Sequence, residues 1–383
     1  MPVAVVAEGN SRMVIRKLKR EEHEKTRRLW ETIFIEDTSK FLDYYYSVKT
    51  AENEIYVVEE DGGIRAMLQL NPYRLQVGTG DIEGHYIVAV ATEEAYRKRG
   101  YMAELLKRSM SDMRDRGEAF TFLMPAAETI YKPHGFRFIY RQKQGWIVGK
   151  SSKSPGISIA YARKEDCEEM ARFANTYLEG RYQVYAKRDV HYYERLLEEF
   201  RSENGGILLV RESGRCIGLF GFGKEEEYEI LEPIFLEGYE NEFRHAVFVL
   251  TGNETERVRV LGMMDGEQQS EKPMIMAKVL DVPKMLACME AKEELQFCLC
   301  VTDEPGGESL GSFEISGGNG CQICCVEKTN EHLEEKERKI SIGDLTSVLF
   351  GYRKPEELNV AEDTAKELGK LKPLCAVFLN EVV

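Results

Sequence analysis

The sequence has no long apolar run, since no stretch approaches the roughly 18–20 residues that a membrane-spanning helix needs. Its first residues, MPVAVVAEGN, carry no basic group before a short apolar run, so a secretory signal peptide is not expected. Nine cysteines in 383 residues do not make a disulfide framework, and without an export signal they are expected to be reduced thiols. The sequence therefore predicts a cytoplasmic protein.

Cationic residues are fewer than acidic ones: the chain has 52 lysines and arginines and 66 aspartates and glutamates, which gives a net charge of -14. This balance argues against a nucleic-acid-binding protein, which needs a basic face for the phosphates. An acidic surface permits a cationic substrate, although solubility alone would also explain the charge. The length suffices for two or three domains of ordinary size.

Apolar periodicity predicts an α/β (α+β) first domain, residues 1–150, with a mixed central sheet. A strand-like segment at 13–18 precedes two helical segments and a hairpin with its turn at 61–63. The run HYIVAVAT (85–92) is nearly all apolar, as in a strand buried on both faces. A helix after Gly100, another buried strand at 119–125 and a final strand FRFIYRQ (136–142) are expected to close the domain.

The same rhythm of strands and helices recurs about 150 residues later. The hairpin at 206–222 echoes the one beginning at Glu54, and 206 − 54 gives a shift of 152. Arg163 echoes Arg16 with a shift of 147. Near-constant shifts predict a duplicated second domain, residues 151–271, and a third domain is expected over 272–383. Nothing in 223–270 matches the Arg-x-x-Gly turn of the first copy.

That turn, RKRGYM (97–102), lies between the buried strand and the helix that follows it. The first N–H groups of a helix lack internal partners and carry partial positive charge, so they form an anion site. Gly100 lets a ligand approach the backbone without meeting a Cβ, and three cations add attraction. The pattern therefore favours a phosphate cradle over a solvated basic turn.

The stretch VATEEAYRKRGYM resembles the GNAT acetyltransferase signature, a strand followed by R/Q-x-x-G-x-G/A and a helix, with Met102 as the departure. The resemblance implies acetyl-CoA as cosubstrate and no metal. It implies a pantetheine arm beside Val90, Ala91 and Thr92, and a pyrophosphate held by the amides of Arg97, Lys98, Arg99, Gly100, Tyr101 and Met102. IYKPHGFRFIY resembles the later GNAT segment whose tyrosine protonates the leaving thiolate, which implies that role for Tyr131. A packed aromatic is the alternative for Tyr131.

The whole chain resembles the Eis-like (enhanced intracellular survival) acetyltransferases. These join an active GNAT domain, a degenerate GNAT domain and a sterol-carrier-protein-like domain, and MIMAKVLDVPKML and ISIGDLTSVLFGY are similar to their third-domain segments. The family's general base is the chain's terminal carboxylate, which implies Val383, with Glu381 nearby to hold the substrate amine. The resemblance also implies a homo-oligomer, a hexamer. The family's substrate cleft corresponds to Trp30, Phe34 and Asp37, for which core packing is the alternative.

Two other motifs are weaker. Gly-x-Ser-x-Gly around Ser309 lies between glycine-rich turns and indicates a hairpin rather than a hydrolase elbow. Cys298, Cys300, Cys321 and Cys324 could be zinc ligands by number, but FCLCV alternates like a strand and favours core cysteines.

The sequence thus predicts an N-acetyltransferase that moves an acetyl group from acetyl-CoA to a primary amine of a cationic small molecule such as an aminoglycoside or polyamine. The alternatives are a protein or peptide lysine acetyltransferase and a non-catalytic module that binds an apolar ligand in its third domain. Neither a nucleic acid nor a membrane is expected as a partner.

Overall fold

A computed structural model describes residues 3–4, 13–152, 154–224, 227–253, 257–262, 267–304, 307–328 and 338–380. The described chain forms one 15-stranded mixed sheet and one four-stranded sheet, with helices packed on them. Below, the first, second and third units denote 1–150, 151–271 and 272–383, the three predicted domains.

The first unit contains the predicted hairpin, which is confirmed as β3 and β4 joined through Asp61 and Gly62. Its strands are β1 (Val3–Ala4), β2 (Val14–Lys17), β3 (Glu54–Glu60), β4 (Gly63–Val77), β5 (Gly80–Thr92), β6 (Phe120–Leu123) and β7 (Arg137–Val148). Its α-helices are α1 (Arg27–Ile33), α2 (Ser39–Ser47), α3 (Tyr101–Arg116) and α4 (Glu128–Tyr131). Short 3-10 helices cover Arg20–Thr26, Lys49–Ala51, Glu94–Tyr96 and Lys132–His134.

The other two units follow in chain order. The second unit comprises β8 (Ile157–Tyr161), a 3-10 turn (Lys164–Asp166), α5 (Cys167–Leu178), β9 (Val184–Ala186), α6 (Val190–Ser202), β10 (Gly206–Glu212), β11 (Arg215–Lys224), β12 (Tyr228–Phe235), α7 (Glu240–Thr251) and β13 (Arg257–Leu261). Next come β14 (Glu267–Val279), α8 (Val282–Ala287), β15 (Leu295–Thr302), β16 (Ser309–Gly317), β17 (Cys324–Glu327), β18 (Arg338–Ser341), α9 (Ile342–Leu349), a 3-10 turn (Pro355–Glu357), α10 (Glu362–Leu368) and β19 (Val377–Phe378).

The large sheet repeats one strand order in its two halves. One half runs β2-β3-β4-β5-β6 and ends on β14, and the other runs β8-β10-β11-β12-β13 and ends on β7. In each half the fourth and fifth strands are parallel and the remaining neighbours are antiparallel. The internal repeat of the sequence is therefore also a repeat of topology.

The last strands of the two halves are exchanged, which the sequence did not predict. The final strand β7 was expected to close the first unit, but β14 lies between β6 and β7. Met276 of β14 is opposite Leu123 on one side and Phe138 on the other. Since β14 runs from Glu267 to Val279, it crosses the predicted boundary between 271 and 272. Its apolar centre suits a strand buried between two neighbours.

The third unit packs against the large sheet through α9. The apolar residues of this helix share one hydrophobic core with β6 and β14, and the rings of Phe120 and Phe350 lie 5.2 Å apart in an edge contact. The predicted hairpin at Ser309 is confirmed as β15 and β16, and Cys298 and Cys300 both lie in β15. Among the described residues, no group of three or more potential metal ligands converges, and no helix has the length and apolarity to cross a bilayer.

Candidate active site

A bulge interrupts β5 at the centre of the first unit. The ladder between β4 and β5 shifts register between Met67 and Gln69, so that Ala89 and Val90 together oppose one residue of β4. Ala89 adopts a φ of 50°, which is uncommon for a residue with a side chain. A bulge of this kind leaves its extra residue unpaired in the ladder. The sequence placed Val90 at the site but did not predict the bulge.

Beyond the bulge, one edge of β5 is open. The parallel ladder between β5 and β6 ends where Ile87 is opposite Leu123, whereas β5 continues to Thr92. On its other side β5 remains paired with β4, where Ala66 is opposite Thr92. Within the described chain, no strand covers the edge of residues 88–92 that faces away from β4. Apart from the carbonyl oxygen of Thr92, which accepts a hydrogen bond from Arg97, the backbone groups of this edge are therefore available to an extended ligand arm.

The predicted glycine turn follows this open edge. Gly100, with a φ of 83°, caps α3, and nothing lies within 4 Å of the position that a Cβ would occupy. Arg97, Lys98 and Arg99 are all exposed. The start of α3 is therefore an accessible helix N-terminus beside three cations, as the sequence predicted.

The three cations differ in how firmly they are held. Arg99 Nη1 lies 3.5 Å from Glu60 Oε2, and its guanidinium stacks 4.5 Å from the centre of the Tyr96 ring. The Tyr101 hydroxyl also donates a hydrogen bond to Glu60. Arg97 Nε donates to the carbonyl oxygen of Thr92 at 3.3 Å. Lys98 makes no hydrogen bond or ion pair with a described residue, so it contributes charge but not fixed geometry.

Tyr131 is the last residue of α4, and it packs on the same face of the sheet as α3. It belongs to the apolar cluster that contains Val90 and Met102, and only 7% of it is exposed. Its ring meets that of Phe136 edge-on at 6.0 Å. Burial raises the pKa of Tyr131 to about 12, and its hydroxyl makes no hydrogen bond to a described residue. The structure therefore places Val90, Met102 and a protonated Tyr131 in one apolar cluster.

The opposite face of β5 carries the predicted substrate residues. Ala89 and Ala91 pack in one cluster with Trp30 and Phe34. Trp30 Nε1 donates to Asp37 Oδ2 at 2.6 Å, so these residues do assemble. Trp30 is only 2% exposed and packs as a core residue, whereas Phe34 is half-buried and Asp37 exposed.

The C-terminal segment is docked between the first and second units. β19 pairs in parallel with β9, which itself pairs with β4. The side-chain oxygen of Asn380 accepts hydrogen bonds from the Tyr140 hydroxyl at 2.8 Å and from Gln142 Nε2 at 3.1 Å. Asn380 and Tyr73 line a pocket of about 60 Å³ at this junction. Glu381 and Val383 lie outside the described residues.

The second unit contains a geometric counterpart of the site, although the sequence showed no matching turn. The β11–β12 ladder shifts register so that Glu232 and Pro233 oppose one residue of β11, and Glu232 has a φ of 45°. Gly238, with a φ of 87° and open space above it, then precedes α7. The sequence of 223–270 lacks the Arg-x-x-Gly pattern, as stated above, and its backbone nevertheless forms a comparable glycine turn before a helix.

The chemistry of this counterpart is different. Pro233 has no N–H to donate at the bulge, whereas Val90 has one. Glu237 and Glu240 flank Gly238 where the first unit has arginine and lysine side chains. An anionic pyrophosphate would meet repulsion here, and a developing oxyanion would lack a donor. Of these two turns, the one in the first unit combines the geometry of a phosphate site with positive charge.

Comparisons with known proteins agree with this geometry. The family described as "Acetyltransferase (GNAT) domain" matches residues 14–139, and the "Sterol carrier protein domain" family matches residues 282–381. No curated protein matches the chain.

Solved structures share the fold over nearly the whole chain. A probable N-acyltransferase from Enterococcus faecalis is 17% identical, with a TM-score of 0.77 over 97% of this chain and 100% of that one. A GCN5-related N-acetyltransferase from Anabaena variabilis is 14% identical, with 0.77 over 97% and 100%. Eis1 from Mycobacterium abscessus is 13% identical, with 0.68 over 96% and 100%. The chain therefore contains a GNAT acetyltransferase domain and a C-terminal sterol carrier protein domain, in a fold that it shares with Eis1.

Proposed function

We propose that this acetyltransferase moves an acetyl group from acetyl-CoA to a primary amine of a cationic small molecule, at a single site in the first unit. The observation that carries the proposal is the convergence of three features. These are the open edge of β5, the accessible N-terminus of α3 and the buried Tyr131, which shares a cluster with Val90. We retain a homo-oligomer, by family resemblance, as a prediction.

The residues of the first unit fit acetyl-CoA, the cosubstrate of the GNAT family. The open edge of 88–92 offers backbone groups to a pantetheine arm, as an added strand would use them. The amides at Gly100, Tyr101 and Met102, at the accessible start of α3, would bind its pyrophosphate, and Arg97 and Lys98 add positive charge. The bulge at Ala89 and Val90 supplies the backbone N–H that we assign to the oxyanion.

Tyr131 is the general acid in this proposal. The amine nitrogen attacks the thioester carbonyl carbon, and the C–S bond breaks as the hydroxyl of Tyr131 donates its proton to the departing sulfur. The proton that the new amide nitrogen loses returns to Tyr131 through solvent. A pKa raised to about 12 by burial keeps this proton in place at neutral pH. The absence of a hydrogen bond from the hydroxyl to any described residue leaves the proton free for transfer.

The base that we propose is the terminal carboxylate of Val383, with Glu381 beside it to hold the amine. The described end of the chain supports this assignment by its direction. β19 is parallel to β9, and β9 is antiparallel to β4. The segment therefore runs in the direction that leads along β4 from Val77 through Leu75 toward the bulge of the β4–β5 ladder. A carboxylate withdrawn from water gains basicity and could take a proton from an ammonium group.

The proposed class of acceptor follows from the residues on the opposite face of β5. Asp37 is exposed beside the half-buried ring of Phe34, a combination that suits a protonated amine. A lysine side chain of a peptide offers the same group and remains the second candidate. An apolar ligand in the third unit is disfavoured, because the apolar face of α9 is packed against the large sheet.

An acetyl-transfer screen tests the proposal. Purified protein with acetyl-CoA is offered an aminoglycoside, a polyamine and a lysine-containing peptide, and acetylated product is measured by mass spectrometry. We expect turnover with at least one cationic small amine that exceeds turnover of the peptide. Faster peptide acetylation would select the second candidate, and no acetylated product with any amine would overturn the proposal.

A further inference from the structure

Two cationic side chains, Arg137 and Lys278, donate hydrogen bonds to the turn that follows Tyr131. Arg137 Nη1 donates to the carbonyl oxygen of Lys132 at 3.0 Å, and Lys278 Nζ donates to that of His134 at 2.9 Å. These carbonyls belong to the end of the helical segment that carries Tyr131, where free carbonyl groups concentrate partial negative charge. The cations therefore fix the backbone one to three residues after Tyr131.

Both cations are anchored by adjacent carboxylates of the third unit. Lys278 Nζ lies 3.2 Å from Asp303 Oδ1, and Arg137 Nη2 lies 3.6 Å from Glu304 Oε2. The side chains of Lys278 and Arg137 are only 12% and 11% exposed. Asp303 and Glu304 directly follow β15, in the turn that leads to β16. A continuous chain of contacts thus joins the third unit to the Tyr131 turn.

Gly135 and Gly343 have no side chain, and this leaves space for the side chains of Lys278 and Arg137. Gly135 has a φ of 82°, and a Cβ there would lie 3.1 Å from both Lys278 and Ile342. A Cβ on Gly343, in the first turn of α9, would lie 2.6 Å from Arg137 Cζ. The guanidinium of Arg137 is therefore enclosed by the third unit as well as paired with it.

We propose that Asp303 and Glu304 are positioning residues for Tyr131. They hold Lys278 and Arg137 against the 132–135 turn and so fix the Tyr131 hydroxyl relative to the bulge of β5. The inference rests on the proposed role of Tyr131 as general acid. It gives the sterol-carrier-like unit a part in acetyl transfer that needs no apolar ligand.

The test removes the two negative charges with little change of shape. In Asp303→Asn/Glu304→Gln we expect kcat to fall by about tenfold to a hundredfold, the scale that a misplacement of about 1 Å can cause. The KM for acetyl-CoA and the rise in Tm on adding acetyl-CoA should stay unchanged, since the cofactor residues are untouched. Asp363→Asn is the matched control, because Asp363 is an exposed third-unit carboxylate paired with Arg338 at 3.4 Å, away from this turn.

Combination with Tyr131→Phe separates positioning from general destabilisation. If the carboxylates act through the Tyr131 hydroxyl, the double change should lower kcat by less than about twofold in the Tyr131→Phe background. A full further loss there, or an unchanged kcat in the Tyr131-containing protein, overturns the positioning role. An unchanged kcat in Tyr131→Phe alone overturns both the general acid and this inference. Should the double variant not fold, Gly343→Ala displaces Arg137 without altering charge and must lower kcat in the same way.

Discussion

At the scale of single residues, the environment of Tyr131 accounts for its proposed chemistry. A proton donor must keep its proton at the working pH and must be free to release it to the substrate. Burial against Phe136 in the apolar cluster of the first unit meets the first requirement by raising the pKa of Tyr131 to about 12. The second is met because the hydroxyl makes no hydrogen bond to a described residue.

Replacing Tyr131 by phenylalanine should lower kcat by roughly tenfold to a thousandfold, the usual contribution of a general acid. The ring would still pack on Phe136, so the Tm and the affinity for acetyl-CoA should hardly change. Steady-state kinetics together with a thermal melt check both expectations. Tyr161→Phe, which removes the hydroxyl of an exposed tyrosine in the second unit, serves as the comparison. A Tyr131→Phe enzyme with full kcat would exclude the hydroxyl from the mechanism.

The pH dependence gives an independent check on Tyr131. Its hydroxyl is protonated below its pKa, and that pKa is raised from 10.0 to about 12. Activity that needs the proton should therefore persist through pH 10 and decline only as pH 12 is approached. A rate profile measured from about pH 8 to pH 11 should show no loss centred at pH 10. A titration at pH 10 that disappears in Tyr131→Phe would contradict the raised pKa.

At the scale of elements, two strand–turn–helix segments share a backbone and differ in chemistry. β5, Gly100 and α3 in the first unit correspond to β12, Gly238 and α7 in the second. Both contain a bulge and a left-handed glycine, but only the first adds exposed arginine and lysine side chains. The comparison supports the proposal that backbone geometry and charge together make the acetyl-CoA site.

Gly100 should matter more than Lys98 for acetyl-CoA. A valine at a φ of 83° costs about 1–2 kcal/mol of backbone strain and adds a side chain above the helix N-terminus, so KM should rise tenfold or more. Lys98 is an exposed charge, worth below about 1 kcal/mol, so Lys98→Ala should raise KM by less than about fivefold. Kinetics with varied acetyl-CoA distinguishes them. The reverse order would place the binding energy in the basic side chains.

Local patterns predicted the elements of the site but not the bulge. The hairpins, the helix after Gly100 and the buried strand at 85–92 follow from short-range periodicity and turn residues. The bulge at Ala89 and Val90 depends on the register between β4 and β5, and its sequence, IVAVAT, reads as a regular buried strand. The counterpart at Gly238 was not predicted, because its sequence has glutamates where the turn at Gly100 has arginine and lysine.

At the scale of the whole molecule, the features that the sequence did not predict arise from pairing between strands far apart in the chain. β14 closes the first half of the large sheet although it follows the second half in the chain, and β7 closes the second half. Pairing between strands more than a hundred residues apart leaves no local pattern. The ion pairs of Asp303 with Lys278 and of Glu304 with Arg137 have the same origin, since they exist only once the third unit docks on β14 and β7.

The proposed terminal base leads to a prediction for the whole chain. A short polar extension after Val383 should abolish acetyl transfer, because it converts the carboxylate to an amide and displaces it. Acetyl-CoA should still raise the Tm, since its proposed site lies on β5 and α3. The same extension before Met1 is the control and should leave activity intact. Full activity with the C-terminal extension would exclude the terminal carboxylate as the base.

Calorimetric titration of acetyl-CoA tests the central claim, that a single site in the first unit binds the cosubstrate. We predict one molecule bound per chain, an unchanged stoichiometry and affinity in Gly238→Val, and a Kd raised about tenfold or more in Gly100→Val. The two glycines share a left-handed φ and open surroundings, so the substitutions impose a similar local strain. Two molecules bound per chain, or binding lost in Gly238→Val and kept in Gly100→Val, would contradict the account.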